Sequence, residues 1–268
     1  GDDCAPTTVH VVESGLSDGL GARLWTASYM LCRELLSHRW LVDGAGDVLE
    51  LGSGCGLCGL YAAHLGANQV TMTDCIQPLL NNLIRSAATN FPAAIMTKVP
   101  SSSPPRTPPT SSSWDMGPIR VRHLDWAMEG GGGNETRSAS VAPTISGTSQ
   151  FHTIIASDVI YDAETADHLP NCLARRLAPH GRVLLVQPIR QREIFHRFAD
   201  NLKRVGLRID VRKLQPQDSD EGIHDKDEMH RGVGPYEGGY VSIRIEWLNY
   251  PASDWGHTID WTVCSGIA

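Results

Sequence analysis

LELGSGCGLCGL, residues 49–60, decides how this chain is read. The run Val48-Leu49-Glu50-Leu51 ends in glycines and reads as a buried strand. Leu57, Leu60, Tyr61, His64 and Leu65 then recur at helical spacing, and Gly66 closes that helix. A strand, a glycine loop and a helix in this order form a ligand cradle. The glycines let a ligand approach the backbone, and the helix start offers free N–H groups. Gly54-Cys55-Gly56-Leu57-Cys58-Gly59 fits G-x-G-x-x-G, a dinucleotide pattern that is weak alone. The same stretch also reads Glu50-x-Gly52-x-Gly54-x-Gly56, which requires no diphosphate.

Working outward, Val70 to Thr73 is the next strand and ends at Asp74. Pro78 suits a first helical turn, and Leu79, Leu80, Leu83, Ile84 and Ala87 give its helix an apolar face. Strand–helix–strand–helix predicts a parallel sheet. Further strands are expected at 119–124, 153–156, 182–186, 207–211 and 240–247, and helices at about 164–177 and 191–205. That makes about seven strands, with helices between the first five and a final pair joined without one. The fold class is therefore α/β, one Rossmann-like seven-stranded domain over 1–268 with helices on both faces. An N-terminal extension, 1–45, carries a helix near 27–36.

Two stretches interrupt the pattern. Residues 97–118 are rich in Pro, Ser and Thr, and 129–150 in Gly, Ser and Thr. Such compositions bury too little apolar surface to order themselves, so both are expected as solvated insertions on the sheet rim. An acidic loop, 215–235, contains His224 and His230 among its carboxylates. A charge run of this kind is expected to be solvated, without a metal, and to shape a partner surface.

Bulk properties bound the function. The 268 residues are 41% hydrophobic, enough for a sizeable core. A net charge of −7 counts against a nucleic-acid partner, and no apolar run reaches membrane-span length. The seven cysteines, an odd number and scattered, suit free thiols in a reducing compartment. Cytoplasm is the expected location, an organelle the alternative. The start at Gly1 without Met leaves room for an upstream segment. Cys55-x-x-Cys58 lacks a second ligand pair, so both are expected as small packed hydrophobes.

Asp74, some twenty residues beyond the glycines, would bind the ribose hydroxyls of any adenosine cofactor. Glu50 separates the candidates. A carboxylate at this strand end repels a pyrophosphate and suits a cationic cofactor, S-adenosylmethionine, rather than a nicotinamide dinucleotide.

At this point five separated pieces resemble a known family. They are Gly21-x-x-Leu24-Trp25; Leu49-Glu50-Leu51-Gly52-Ser53-Gly54-Cys55-Gly56-Leu57; Thr73-Asp74; Leu124-Asp125-Trp126; and Ser157-Asp158-Val159-Ile160-Tyr161. Together, in this order, they resemble methyltransferase family 16, the methyltransferase-like 21 group of protein lysine methyltransferases. The resemblance covers about residues 15–190 outside the insertions. It implies that Trp25 packs beside the cofactor and that Asp125 and Trp126 flank its adenine. Gly52, Ser53 and Gly54 lie under the methionine portion, and Ser157 touches the cofactor. Asp158 and Tyr161 match the family's D-x-x-Y element, where the acceptor amine meets the methyl group. The implied partner is a protein substrate presenting a lysine, within a larger assembly as a further possibility. The alternative is a catalytically silent subunit of the same fold acting as an interaction protein.

Overall fold

The computed structural model describes residues 8–92, 114–130, 142–215, 239–252, 255 and 262–263. Among these residues nine strands form one sheet: β1 (Asp47–Leu51), β2 (Gln69–Asp74), β3 (Asp115–Met116), β4 (Ile119–His123), β5 (Phe151–Ser157), β6 (Leu177–Pro188), β7 (Leu207–Leu214), β8 (Tyr240–Trp247) and β9 (Thr262–Val263). The order is β3-β4-β2-β1-β5-β6-β8-β7-β9. β3 and β9 are two-residue edge strands, so the seven longer strands are those expected from the sequence. β4, β2, β1, β5 and β6 run parallel, while β8 lies antiparallel between β6 and β7.

Strand alternation divides the core into two layers. Val48, Val70, Met72, Ile155 and Val186 face α1 (Thr26–Ser37), α2 (Leu57–His64) and α3 (Gln77–Asn90). Leu49, Leu51, Ile154, Ala156 and Leu185 face α4 (Ala163–Arg176) and α5 (Arg192–Arg204). Period-two alternation on a parallel sheet buries both faces, which explains why the strands read as near-continuous apolar runs. The chain leaves β1 towards β2 on one side and returns through β5 on the other. A crevice opens at that switch point, at the carboxyl ends of the strands.

Three expectations change. β4 is followed by a 3-10 turn, Trp126–Gly130, and no α-helix lies between β4 and β5 among the described residues. β6 begins at Leu177 rather than Arg182: Leu177 pairs with Phe151 before the register shifts to Thr153–Arg182. The expected insertions are also shorter, because their stems belong to the fold. Trp114 is buried and β3 pairs with β4, while Ala142 and Ile145 are buried and Thr144 bridges to His123. Arg176, fully buried in α4, donates to both carboxylate oxygens of Glu129 at 2.7 Å and to the carbonyl of Ser146 at 2.5 Å. It thereby clasps both ends of the second stretch. The acidic loop 215–235, with His224 and His230, lies outside the described residues apart from Gln215.

Helix α4 carries a proline inside it, Pro170. The ring removes the N–H that would bond the carbonyl of Ala166. The Asn201 side chain, from α5, donates to that carbonyl at 3.1 Å instead. Asp162 starts α4 through a capping box: its carboxylate accepts from the Thr165 N–H at 2.8 Å, and the Thr165 hydroxyl faces the Asp162 N–H. The helix start, and with it the end of the 157–161 loop, is fixed by local chemistry.

Candidate active site

A cavity of about 780 Å³ opens at the switch point. Trp25, Glu50, Gly52, Ser53, Gly54, Asp74, Asp125, Trp126, Ser157, Asp158 and Tyr161 all line it, so every residue expected at the site from the sequence is brought there.

The glycine loop forms its floor. Gly52 and Gly54 adopt positive φ, +60° and +52°. A Cβ on Gly54 would sit 2.7 Å from the carbonyl oxygen of Gly21, so this glycine also lets the N-terminal segment pass. A Cβ on Gly52 would crowd Val159 at 3.0 Å and the Trp126 ring at 3.3 Å. Ser53 knits the two strand ends: its N–H donates to the Thr73 carbonyl, and its hydroxyl accepts from the Thr73 N–H. Cys55 and Cys58 are buried thiols donating to the carbonyls of Gly21 and Ser28, the packed role expected of them.

Glu50 is 3% exposed, and its Oε2 accepts no hydrogen bond from the described residues. Burial raises its carboxyl to about 7, with the Ser53 hydroxyl and the Gly59 N–H pulling the other way. A buried acid facing a cavity, with no matching cation among the described residues, fits a positively charged ligand group. Asp74 accepts from the N–H groups of Gly54 at 3.1 Å and Ile76 at 3.0 Å. A carboxylate has about four acceptor positions, so lone pairs remain for ribose hydroxyls. Ile76, not Asp74, is the N-cap of α3.

Across the cavity, Trp25 precedes α1 and donates its indole N–H to the Leu20 carbonyl at 3.1 Å. Asp125 caps the following turn by accepting from the Ala127 N–H. Trp126 packs partly against the α4–α5 core layer, which presents its remaining face to the cavity. Tyr161 is 44% exposed at the mouth. Burial of the rest of the side chain raises its phenol to about 12, followed by the negative field of Asp162, Cys75, Asp74 and Asp158. The phenol is therefore a neutral donor at physiological pH.

Asp158 sits at φ +53°, a left-handed position for a residue with a side chain. It is not a helix cap, because Asp162 fills that place. Two residues outside the sequence-derived site hold it. The Gln187 carbonyl oxygen accepts from the N–H groups of Val159 and Ile160, and its amide donates to the Ile160 and Pro188 carbonyls. The Arg190 guanidinium bonds the Asp158 carboxylate at 2.6 Å. Gln187 lies at the carboxyl end of β6 and Arg190 just beyond it, where sites in such sheets gather, and that position was the available signal.

A Rossmann-like sheet whose crevice offers a glycine floor, an acid at the end of β2 and an uncompensated buried carboxylate is that of an S-adenosylmethionine-dependent methyltransferase. The profile of the family described as lysine methyltransferase matches residues 5–101. The chain is 25% identical over 218 residues to mouse EEF1A lysine methyltransferase 3, covering 81% of this chain and 75% of that one. It is 27% identical over 217 residues to the mouse protein N-lysine methyltransferase METTL21A, covering 81% of each. A solved precorrin-6y C5,15-methyltransferase from Geobacter metallireducens aligns at 13% identity and a TM-score of 0.48, over 81% of this chain and 86% of that one. The chain is thus similar to lysine methyltransferases of methyltransferase family 16, whose profile it matches over its N-terminal third.

Proposed function

We propose that this chain transfers a methyl group from S-adenosylmethionine to a lysine side chain of a protein substrate. The observation that carries the reading is the pair of carboxylates, Glu50 and Asp158, set in one cavity with different surroundings. The bound cofactor would supply an electrophilic methyl carbon and a thioether leaving group. Glu50 faces its positive charge, Asp74 its ribose, and Asp125 and Trp126 its adenine. Gly52, Ser53 and Gly54 lie beneath the methionine portion, with Trp25 and Ser157 beside it.

Asp158 and Tyr161 receive the acceptor. A free lysine is protonated at neutral pH, with a pKa of about 10.4, and must lose that proton to react. Entry into a partly desolvated mouth favours the neutral amine. Asp158 accepts a hydrogen bond from that amine and orients its lone pair, and Tyr161 supplies a neutral donor and an apolar wall. Positioning of this kind can contribute on the order of 7–11 kcal/mol to a transfer step.

The free thiols of Cys32, Cys55, Cys58, Cys75 and Cys172 support a reducing, cytoplasmic setting. Among the described residues no helix is long and apolar enough to cross a membrane. The test is a labelled methyl donor added with a protein extract, followed by amino-acid analysis of the product. Label in methyl-lysine is expected. Label confined to nucleic acid or small molecules overturns the acceptor assignment, and no label despite donor binding favours the silent subunit.

A further inference from the structure

The Asp158 carboxylate already has a cation. Arg190 places Nη2 2.6 Å from Oδ2 and Nε 3.4 Å from Oδ1, so the guanidinium bridges both oxygens. Both side chains are largely buried, at 16% and 6% exposure. The guanidinium carbon also stands 5.8 Å from the centre of the Trp25 ring. The arginine thus spans from the 157–161 loop to the segment before α1. Gln187 fixes the backbone of Val159 and Ile160 beneath it, so the carboxylate has little freedom to turn away.

An acceptor subsite built from a lone carboxylate would bind a lysine ammonium tightly and hold it protonated, the form that cannot react. A carboxylate matched by a resident guanidinium behaves differently. Its charge is neutralised, and a second cation beside the arginine is repelled. The Gln187 amide stands a further 3.5 Å from Oδ1, and the neutralised carboxylate remains a hydrogen-bond acceptor. The other acidic, basic and phenolic groups lining the cavity are Arg23, Glu50, Asp74, Asp125, Tyr161, Asp162, Glu164 and His168.

We propose that Arg190 is a specificity-determining positioning residue that acts through Asp158, making the acceptor subsite select the neutral amine over the ammonium. The proposal rests on the methyl-transfer reading of the site. The acceptor leaves its proton in solvent before it enters, then donates a hydrogen bond to the Asp158 carboxylate. The guanidinium stays in place throughout.

The test uses n-butylamine as a lysine side-chain probe at neutral pH, where it is almost wholly charged. It is titrated calorimetrically into wild type, R190K, R190M, R190Q and the double variant R190M/D158N, with and without S-adenosylhomocysteine. R190M should bind the ammonium at least about tenfold more tightly than wild type. R190K should resemble wild type, and the double variant should lose the gain. R190Q repeats the test if R190M unfolds. Equal binding by wild type and R190M overturns the proposal, as does a gain that survives D158N. With a protein acceptor, R190M should lower KM and kcat together, because the ammonium then binds unproductively, while R190K preserves both. An R190M enzyme with wild-type KM and kcat also overturns it. Failure of the methyl-transfer reading would show separately, as wild-type protein that does not bind S-adenosylhomocysteine, and the amine titration does not depend on that binding.

Discussion

Glu50 and Asp158 face the same cavity from the ends of neighbouring strands, and the fold treats them in opposite ways. Glu50 is buried beneath α2, with one oxygen unbonded. Asp158, one strand away, is bridged by Arg190 and held on a loop that Gln187 pins from below. Burial alone would push both acids towards neutrality. The difference is what each awaits. Glu50 is completed by a charge that arrives with the cofactor, whereas Asp158 carries its counter-ion in the chain and greets the acceptor as a hydrogen-bond acceptor.

The largest test of the contrast is at Asp158. Asp158→Ala should slow methyl transfer by about a hundredfold or more while leaving donor affinity nearly unchanged. A variant that methylates at the normal rate removes Asp158 from the acceptor side.

Glu129 sharpens the comparison, because it is a buried acid whose cation is purely structural. Arg176 meets it with two 2.7 Å bonds, and both side chains are under 10% exposed. Arg176→Met would leave that carboxylate only the more exposed Arg175, 3.6 Å away, at a cost of up to about 3–5 kcal/mol read as a lower midpoint in urea unfolding. It would also release the 3-10 turn carrying Trp126. A midpoint near wild type would mean that solvent reaches Glu129 without penalty.

The smallest effect is at Glu50, and its sign can be worked out. In the unliganded protein the group titrates near 7, above its ordinary 4.5, so the folded state holds a proton that the unfolded chain has lost. Its contribution to stability is complete below about pH 4.5 and is lost as pH rises through 7. A cationic donor reverses the preference and expels the proton on binding. Donor affinity should therefore rise about tenfold between pH 6 and pH 8 relative to Glu50→Gln. Parallel pH profiles for the two proteins would show that Glu50 does not sense the donor's charge.

What was legible in the sequence follows the range of the forces. The strand–glycine–helix unit around Gly52 and Gly54 and Asp74 at the end of β2 could be read because local spacing dictates them, while Asp158 beyond β5 was read from its resemblance to the family's D-x-x-Y element. The Arg190–Asp158 bridge joins residues 32 apart, and no local pattern announces it. Pro170 sits in a helix because Asn201, from another helix, takes up the carbonyl it leaves unbonded. The stems at 114–118 and 142–150 looked too polar to order, yet pairing with β4 and the clasp of Arg176 order them from outside. Composition cannot reveal partners of that kind.

The most direct test of the account is a calorimetric titration of the protein with S-adenosylmethionine, run beside NADH and repeated on Asp74→Ala. Saturable binding of the methyl donor alone, weakened at least about tenfold by the substitution, is the predicted result. Binding of NADH in its place, or no binding of the methyl donor, would contradict the reading of Glu50 and the chemistry built on it.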